Sequence, residues 1–123
     1  MNIFLFKEQA NNRGYYCEIS TNCNYDELAP SQLIVHYTGD HRWQVAVEEA
    51  SSIFFDYFTK ANKGKLEIDI EVMKWRPVDT NDTVVKYATI KALSQQLKIN
   101  LPDVSFDKTS GAFTFSKKAN NTV

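Results

Sequence analysis

Glycine is scarce in this sequence. The four glycines among 123 residues stand alone, so no glycine-rich loop can cradle a phosphate. Proline is scarcer, at three residues, which excludes Pro-rich linkers and, with the low glycine count, disordered or fibrous composition. Charge of one sign is missing as well. Fourteen Lys and Arg stand against fifteen Asp and Glu, a net of -1, so the chain as a whole cannot capture phosphate backbones by its field, and any nucleic-acid contact must come from a local patch. No stretch approaches the roughly 20 apolar residues of a membrane span, and the opening run Met1 to Glu8 is too short for a signal sequence, so a cytoplasmic location is expected. Two cysteines, Cys17 and Cys23, are expected to be reduced packing residues, although the sequence leaves their pairing open. Two histidines, His36 and His41, lack metal-ligand spacing, so neither a metal nor a cofactor is expected.

What remains is 43% hydrophobic, 13% aromatic and 24% charged, the composition of one domain able to bury a real core. Residues 1–116 are expected to form a single α+β domain, and residues 117–123 a loose tail. Ile3 to Lys7 and Tyr15 to Ser20 read as short strands separated by the turn Gln9 to Gly14, where Gly14 offers an easy positive φ. The polar run Thr21 to Asp26 reads as a loop, and Gln32 to Thr38 as a third strand. From His41 the period changes to about 3.6, with Ala46, Ala50, Ile53, Phe54, Tyr57 and Phe58 on one face. That helix is expected to end near Lys60 to Gly64, placing basic residues at its C-terminus. Leu66 to Val72 then alternates, with aliphatics on one side and Glu67, Asp69 and Glu71 on the other. A second helix is expected from Asp82 to Lys98, capped by Asp79, Thr80 or Asn81. Val104 to Asp107 and Ala112 to Ser116 flank a turn and read as a hairpin. The fold class that follows is α+β: a two-layer sandwich with a mixed sheet of about four strands under two helices, in the order βββαβα, plus a C-terminal β-hairpin.

Catalytic constellations are thin. A nucleophile arrangement of Cys17 with His36 has only topology to support it, and Glu67, Asp69 and Glu71 read better as a solvated face than as a cation site. No enzyme activity is expected. Trp75 stands out among the aromatics because it lies between Lys74 and Arg76, and the three cannot all be buried without partners. Exposed, the trio suits RNA or an acidic protein surface. The competing reading folds the indole over the end of the core and leaves the charges in water.

The run Ile70 to Ala92, with Arg76-Pro77-Val78-Asp79-Thr80-Asn81-Asp82 followed by Lys86, Ala88 and Ala92, resembles part of domain IV of translation elongation factor G. There a strand ends in a Tyr-His-x-Val-Asp-Ser-Ser-Glu-type turn and enters a helix with Lys and Ala at these offsets. Asn11-Asn12-Arg13-Gly14-Tyr15-Tyr16 is similar to that domain's Gly-Gly-Arg-Gly-Gln-Tyr-Gly loop. The similarity spans roughly residues 3 to 98. It implies the fold of ribosomal protein S5 domain 2-like proteins, a small sheet covered by two helices with a left-handed βαβ crossover. In elongation factor G both loops lie at a tip that meets messenger and transfer RNA. Carried onto this sequence, the tip comprises Asn12, Arg13 and Gly14 from one loop and Arg76, Val78, Asp79 and Thr80 from the other. This chain departs from the pattern at Arg76, where the family has His, at Asn11 and Asn12, where it has Gly, and at Tyr15, where it has Gln. These 123 residues contain no GTPase domain, so translocation is not expected of them.

Two functional expectations follow. In the first, a non-enzymatic binding module contacts RNA or the ribosome through residues 11–16 and 74–81, with Asn12, Arg13, Gly14, Tyr15, Lys74, Trp75, Arg76 and Asp79 as the binding tip. In the second, the chain is a protein-interaction or homo-oligomeric module that uses an exposed sheet face, a sheet edge or the hairpin.

Overall fold

The computed structural model describes residues 1–101 and 104–115; the expected tail, 117–123, and Ser116 at the end of the hairpin lie outside them. The elements are β1 (Asn2–Ala10), β2 (Arg13–Asp26), β3 (Gln32–Thr38), a 3-10 turn (His41–Trp43), α1 (Gln44–Phe58), β4 (Lys65–Trp75), α2 (Asp82–Leu97), β5 (Val104–Asp107) and β6 (Ala112–Phe115). Strands β1 to β4 form one sheet in the order β1-β2-β4-β3, and β5 and β6 pair separately. β1 and β2, and β2 and β4, are antiparallel, whereas β3 lies parallel to β4 with α1 as their connection. The sheet is therefore mixed. α2 packs across β2 and β1, α1 packs on β3, and the helices pack on each other, giving the expected two-layer α+β sandwich.

Alternation along the strands decides which face the helices cover. Phe6, Tyr15, Cys17, Ile19, Leu66, Ile68, Ile70 and Val72 are buried beneath the helices, while Glu67, Asp69 and Glu71 point to the open face. From the helix side the core is completed by Ala46, Val47, Ala50, Phe54 and Phe58 of α1 and by Val84, Val85, Ala88, Ala92 and Leu93 of α2. Among the described residues no helix is long and apolar enough to cross a membrane.

Several boundaries differ from those read off the sequence, each for a local reason. Thr21 to Asp26 is not a loop but the second half of β2. It pairs with β4, and its polar Thr21 is buried because its hydroxyl donates to Gln96 Oε1 of α2 at 2.8 Å. α1 starts after a 3-10 turn that Asp40 caps, its carboxylate accepting from Arg42 N at 2.9 Å. It ends at Phe58, so Lys60 and Lys63 lie beyond the helix, and its last turn holds no basic residue. Of the three candidate caps of α2, Asn81 is the one used: its side chain accepts from Val84 N at 2.9 Å. Lys98 is not the helix's last residue; it takes the left-handed conformation that closes α2.

The strand before the turn also runs further than its alternation shows. Glu18 faces Lys74 and Ile19 faces Val72, which leaves Met73 unpaired as a β-bulge in β4. The extra residue reverses the alternation beyond it. Trp75 thus lies opposite Cys17 on the helix side, and Lys74 lies opposite Glu18 on the open face. Gly64 enters β4 at φ +124°, and a Cβ there would stand 2.3 Å from the carbonyl oxygen of Asp26. Gly64→Ala is expected to destabilise the fold by about 2 kcal/mol, from the backbone conformation and the collision together, read as a lower urea midpoint at unchanged slope.

Candidate binding tip

Three turns from distant parts of the sequence meet at one end of the sheet. The first joins β1 to β2 through Asn11 and Asn12, at φ +50° and +66°, between the paired Ala10 and Arg13. This is the two-residue hairpin geometry that asparagine tolerates. The positive φ values therefore fall on the asparagines and not on Gly14. Gly14 serves a different need: a Cβ there would lie 3.0 Å from the Asp79 carboxylate, so its bareness lets the second turn come close.

That second turn, Arg76 to Asn81, folds back on itself because the amides of Asp79 and Thr80 both donate to the Arg76 carbonyl, at 3.1 and 2.9 Å. Thr80 then joins it to β2. Its hydroxyl accepts from Arg76 N at 2.9 Å and donates to the Tyr16 carbonyl at 2.5 Å, while Tyr16 N donates to the Asp79 carbonyl at 3.0 Å. Thr80 is only 6% exposed, so it is the bracket of the tip and not part of its surface. Val78 is 93% exposed at the apex.

The third turn belongs to the hairpin of β5 and β6, for which the resemblance offers no counterpart. Arg13 Nη1 donates to the Ser110 carbonyl at 2.8 Å, and the Tyr15 hydroxyl donates to the Lys108 carbonyl at 2.7 Å. Lys108 Nζ reaches Glu8 Oε1 at 3.3 Å. Asn12, Arg13, Gly14, Val78, Asp79 and Gly111 border a cleft of about 310 Å³ between the three turns.

The expected site residues separate into two groups. Asn12, Arg13, Gly14 and Asp79 border the cleft, with Arg13 on the strand side of Tyr15 and turned to the hairpin, whereas Arg76 reaches Asp79 from the open face, where it lies over Tyr16 with Lys74 beside it. Tyr15 does not join them as a stacking platform: it is buried, and its ring meets Phe106 edge-on at 4.8 Å. Trp75 is turned to the other side of the sheet by the bulge, half-buried edge-on against Trp43 at 5.4 Å and covered by the Arg42 guanidinium at 4.3 Å. It closes the end of the core. The aromatic of the open face is Tyr16, with the Arg76 guanidinium 4.0 Å from its ring centre. Strand alternation carries that signal, because Cys17 and Ile19 are core and Tyr15 shares their side whereas Tyr16 does not. Arg42, far from the tip in sequence, left no signal.

The ion pairs here are loose. Arg76 and Asp79 stand 3.9 Å apart, as do Lys74 and Glu18, with both cations more than half exposed; such pairs hold little energy and leave the cations available. Lys7, Arg13, Lys74, Arg76 and Lys108 face Glu8, Glu18, Asp79 and Asp107, a slight local excess of positive charge in a chain whose net charge is negative. Asp107 is held below the usual carboxylate range because the amide of Thr109 donates to it, with Ser110 adding to the effect.

Elsewhere the chemistry is sparse. Cys17 and Cys23 are free thiols; burial, helped by neighbouring Glu18 and Asp69 respectively, pushes them up to about 12 and about 11. Cys17 lies on the helix side and His36 on the open side, where it pairs with Glu67 at 2.7 Å, so the two cannot act together. Among the described residues no group of three or more His, Cys, Asp or Glu is placed to hold a metal ion. A depression of about 610 Å³ lies at the opposite end of the sheet around Asn24, Asp26, Leu28 and Lys65, and it gathers a single lysine. No protein-family model matches the chain, and no curated protein matches it in sequence.

Proposed function

We propose that the chain is a non-enzymatic binding module that contacts RNA, free or within the ribosome, through the tip formed by residues 11–16 and 74–81. The observation that carries this reading is the joining of two turns more than 60 residues apart by the Thr80 and Tyr16 hydrogen bonds, which sets Arg13 and Arg76 at one end of the sheet, one on each face. The resemblance to domain IV of elongation factor G brings these same two loops to an RNA-facing tip, and the βββαβα order agrees with the fold it implies.

The chemistry fits a phosphate backbone. Stacked on Tyr16, the Arg76 guanidinium is held flat, so less side-chain entropy is lost when its N–H groups meet a phosphate. Lys74 adds a flexible point charge beside it, and the exposed Val78 and Asn12 meet sugars and base edges at the apex. Trp75 and Tyr15 take no part, so base stacking is a minor contribution.

Because the interaction rests on a few cations, it must fade with salt. Arg76→Ala is expected to weaken binding of a labelled single-stranded RNA roughly five- to tenfold at low salt and to flatten the plot of log affinity against log salt by about 0.7. Equal slopes and affinities for the variant and the parent chain would sink the assignment of Arg76.

A further inference from the structure

The open face of the sheet carries a pattern of its own. Register places its side chains in rows across β1, β2 and β4: Ile3, Ser20 and Glu71 form one row, and Leu5, Glu18 and Lys74 the next. Beyond the second row, toward the tip, lie Lys7 and Tyr16, with Arg76 over the Tyr16 ring; beyond the first, Asn22, Asp69 and His36. The tip half of the face is thus basic and the other half acidic. Between them sits an apolar belt, Ile3 and Leu5 at 50% exposure and the bulged Met73 at 39%, which no described element covers.

We infer that this face docks a second copy of the same chain, about a two-fold axis that lies in the plane of the interface, crosses the strands, and passes between the two central rows. Such an axis turns one copy end for end over the other. Lys74 then meets Glu71 of its partner, and Arg76 meets Asp69. Ile3 lies over Leu5, Leu5 over Ile3, and Met73 close to the axis. Every contact occurs twice, as an isologous interface requires. The other two-fold in the interface plane runs along the strands, keeps the tips aligned and reverses the strand order. Along β4 it sets Lys74 over Lys74 and Glu71 over Glu71, along β2 it sets Glu18 over Glu18, and between β2 and β4 it leaves Glu71 over Ser20. The end-for-end axis is therefore the one of these that gives both Lys74 and Glu71 an opposite charge.

Size is consistent with a real but modest association. Four strands about 4.8 Å apart and about ten residues long at about 3.3 Å each present a face on the order of 600 Å², near the roughly 800 Å² per partner of a standard interface. Packed sheets cross at about 30°, so the pairs nearest the centre, Lys74 with Glu71, keep their contact best. A belt of three apolar side chains makes the dimer concentration-dependent, with charge setting its orientation. This inference goes beyond the RNA reading and stands without it, since its test contains no RNA; because both use Lys74 and Arg76, RNA and the second copy compete for this face.

The test is sedimentation velocity over a concentration series, with circular dichroism to verify that each variant folds. The parent chain is expected to shift from 14.1 kDa toward twice that mass. Lys74→Glu sets two carboxylates against each other across the interface, and Glu71→Lys sets two ammonium groups against each other. Each variant alone is therefore expected to dimerise at least about tenfold more weakly. An equimolar mixture of the two restores opposite charges at both contacts of one heterodimer and is expected to associate about as tightly as the parent chain. A parent chain that stays monomeric throughout overturns the proposal. So does a mixture no tighter than either variant, or a dimer that neither reversal weakens, the result expected if the copies join at the open edge of β1.

Discussion

Thr80→Val is expected to cost about 3 kcal/mol although it removes only a hydroxyl group from a shape that otherwise fits. That hydroxyl accepts from Arg76 N and donates to the Tyr16 carbonyl, and Thr80 is buried, so valine strands two backbone groups at once. Each buried polar group left without a partner costs about 1–3 kcal/mol, partly recovered where water reaches the tip. Thr80→Ser keeps the oxygen and is expected to cost less than about 1 kcal/mol, which separates the hydrogen bonds from the packing of the methyl group. Urea denaturation reads the stability. Hydrogen exchange reads the locality, because the Tyr16 amide, bonded to the Asp79 carbonyl, should lose protection before the central strands do. Equal stability of the valine and serine variants would contradict the role given to Thr80.

Phe54→Ala is expected to cost about 4 kcal/mol, because the buried face of α1 does most to hold it and the Glu49–Lys86 ion pair to α2, 2.7 Å long but partly exposed, adds little. No side chain caps the helix N-terminus, its last turn lacks a basic residue, and Phe54 is fully buried where it stacks on Phe58 at 6.1 Å. Removing a buried ring forfeits its transfer free energy and leaves a cavity, together about 3–5 kcal/mol. Ile53→Ala, at a half-buried neighbouring position, is expected to cost well under half as much. Urea midpoints at constant slope distinguish the two. A loss below about 1 kcal/mol for Phe54→Ala would mean that α1 is not anchored as described.

Periodicity carries most of this architecture. β3 was legible to the residue, since Gln32 to Thr38 is bounded by a polar stretch and a glycine, and the helices were legible from apolar spacing. Polarity hid the second half of β2, because Asn22 and Asn24 face water while Thr21 is satisfied by Gln96, a contact 75 residues away in sequence. The bulge at Met73 has no sequence signature, yet it alone sends Trp75 inward and Lys74 outward. Of the tip, the two loops were legible from their residues. Their joining through Thr80 was not, because a threonine before a helix reads first as a cap and only the fold shows that Asn81 fills that place. The hairpin's part in the tip was hidden too, since Arg13 and Ser110 are 97 residues apart.

Binding of RNA through the cations of the tip is tested most directly by fluorescence anisotropy of a labelled single-stranded RNA titrated with the chain at low salt and again at physiological salt. The expected result is saturable binding at low salt that falls steeply as salt rises, with Arg13→Ala and Arg76→Ala each weakening it and Trp75→Phe leaving it unchanged. No rise in anisotropy at low salt, or binding indifferent to both arginines, would contradict it.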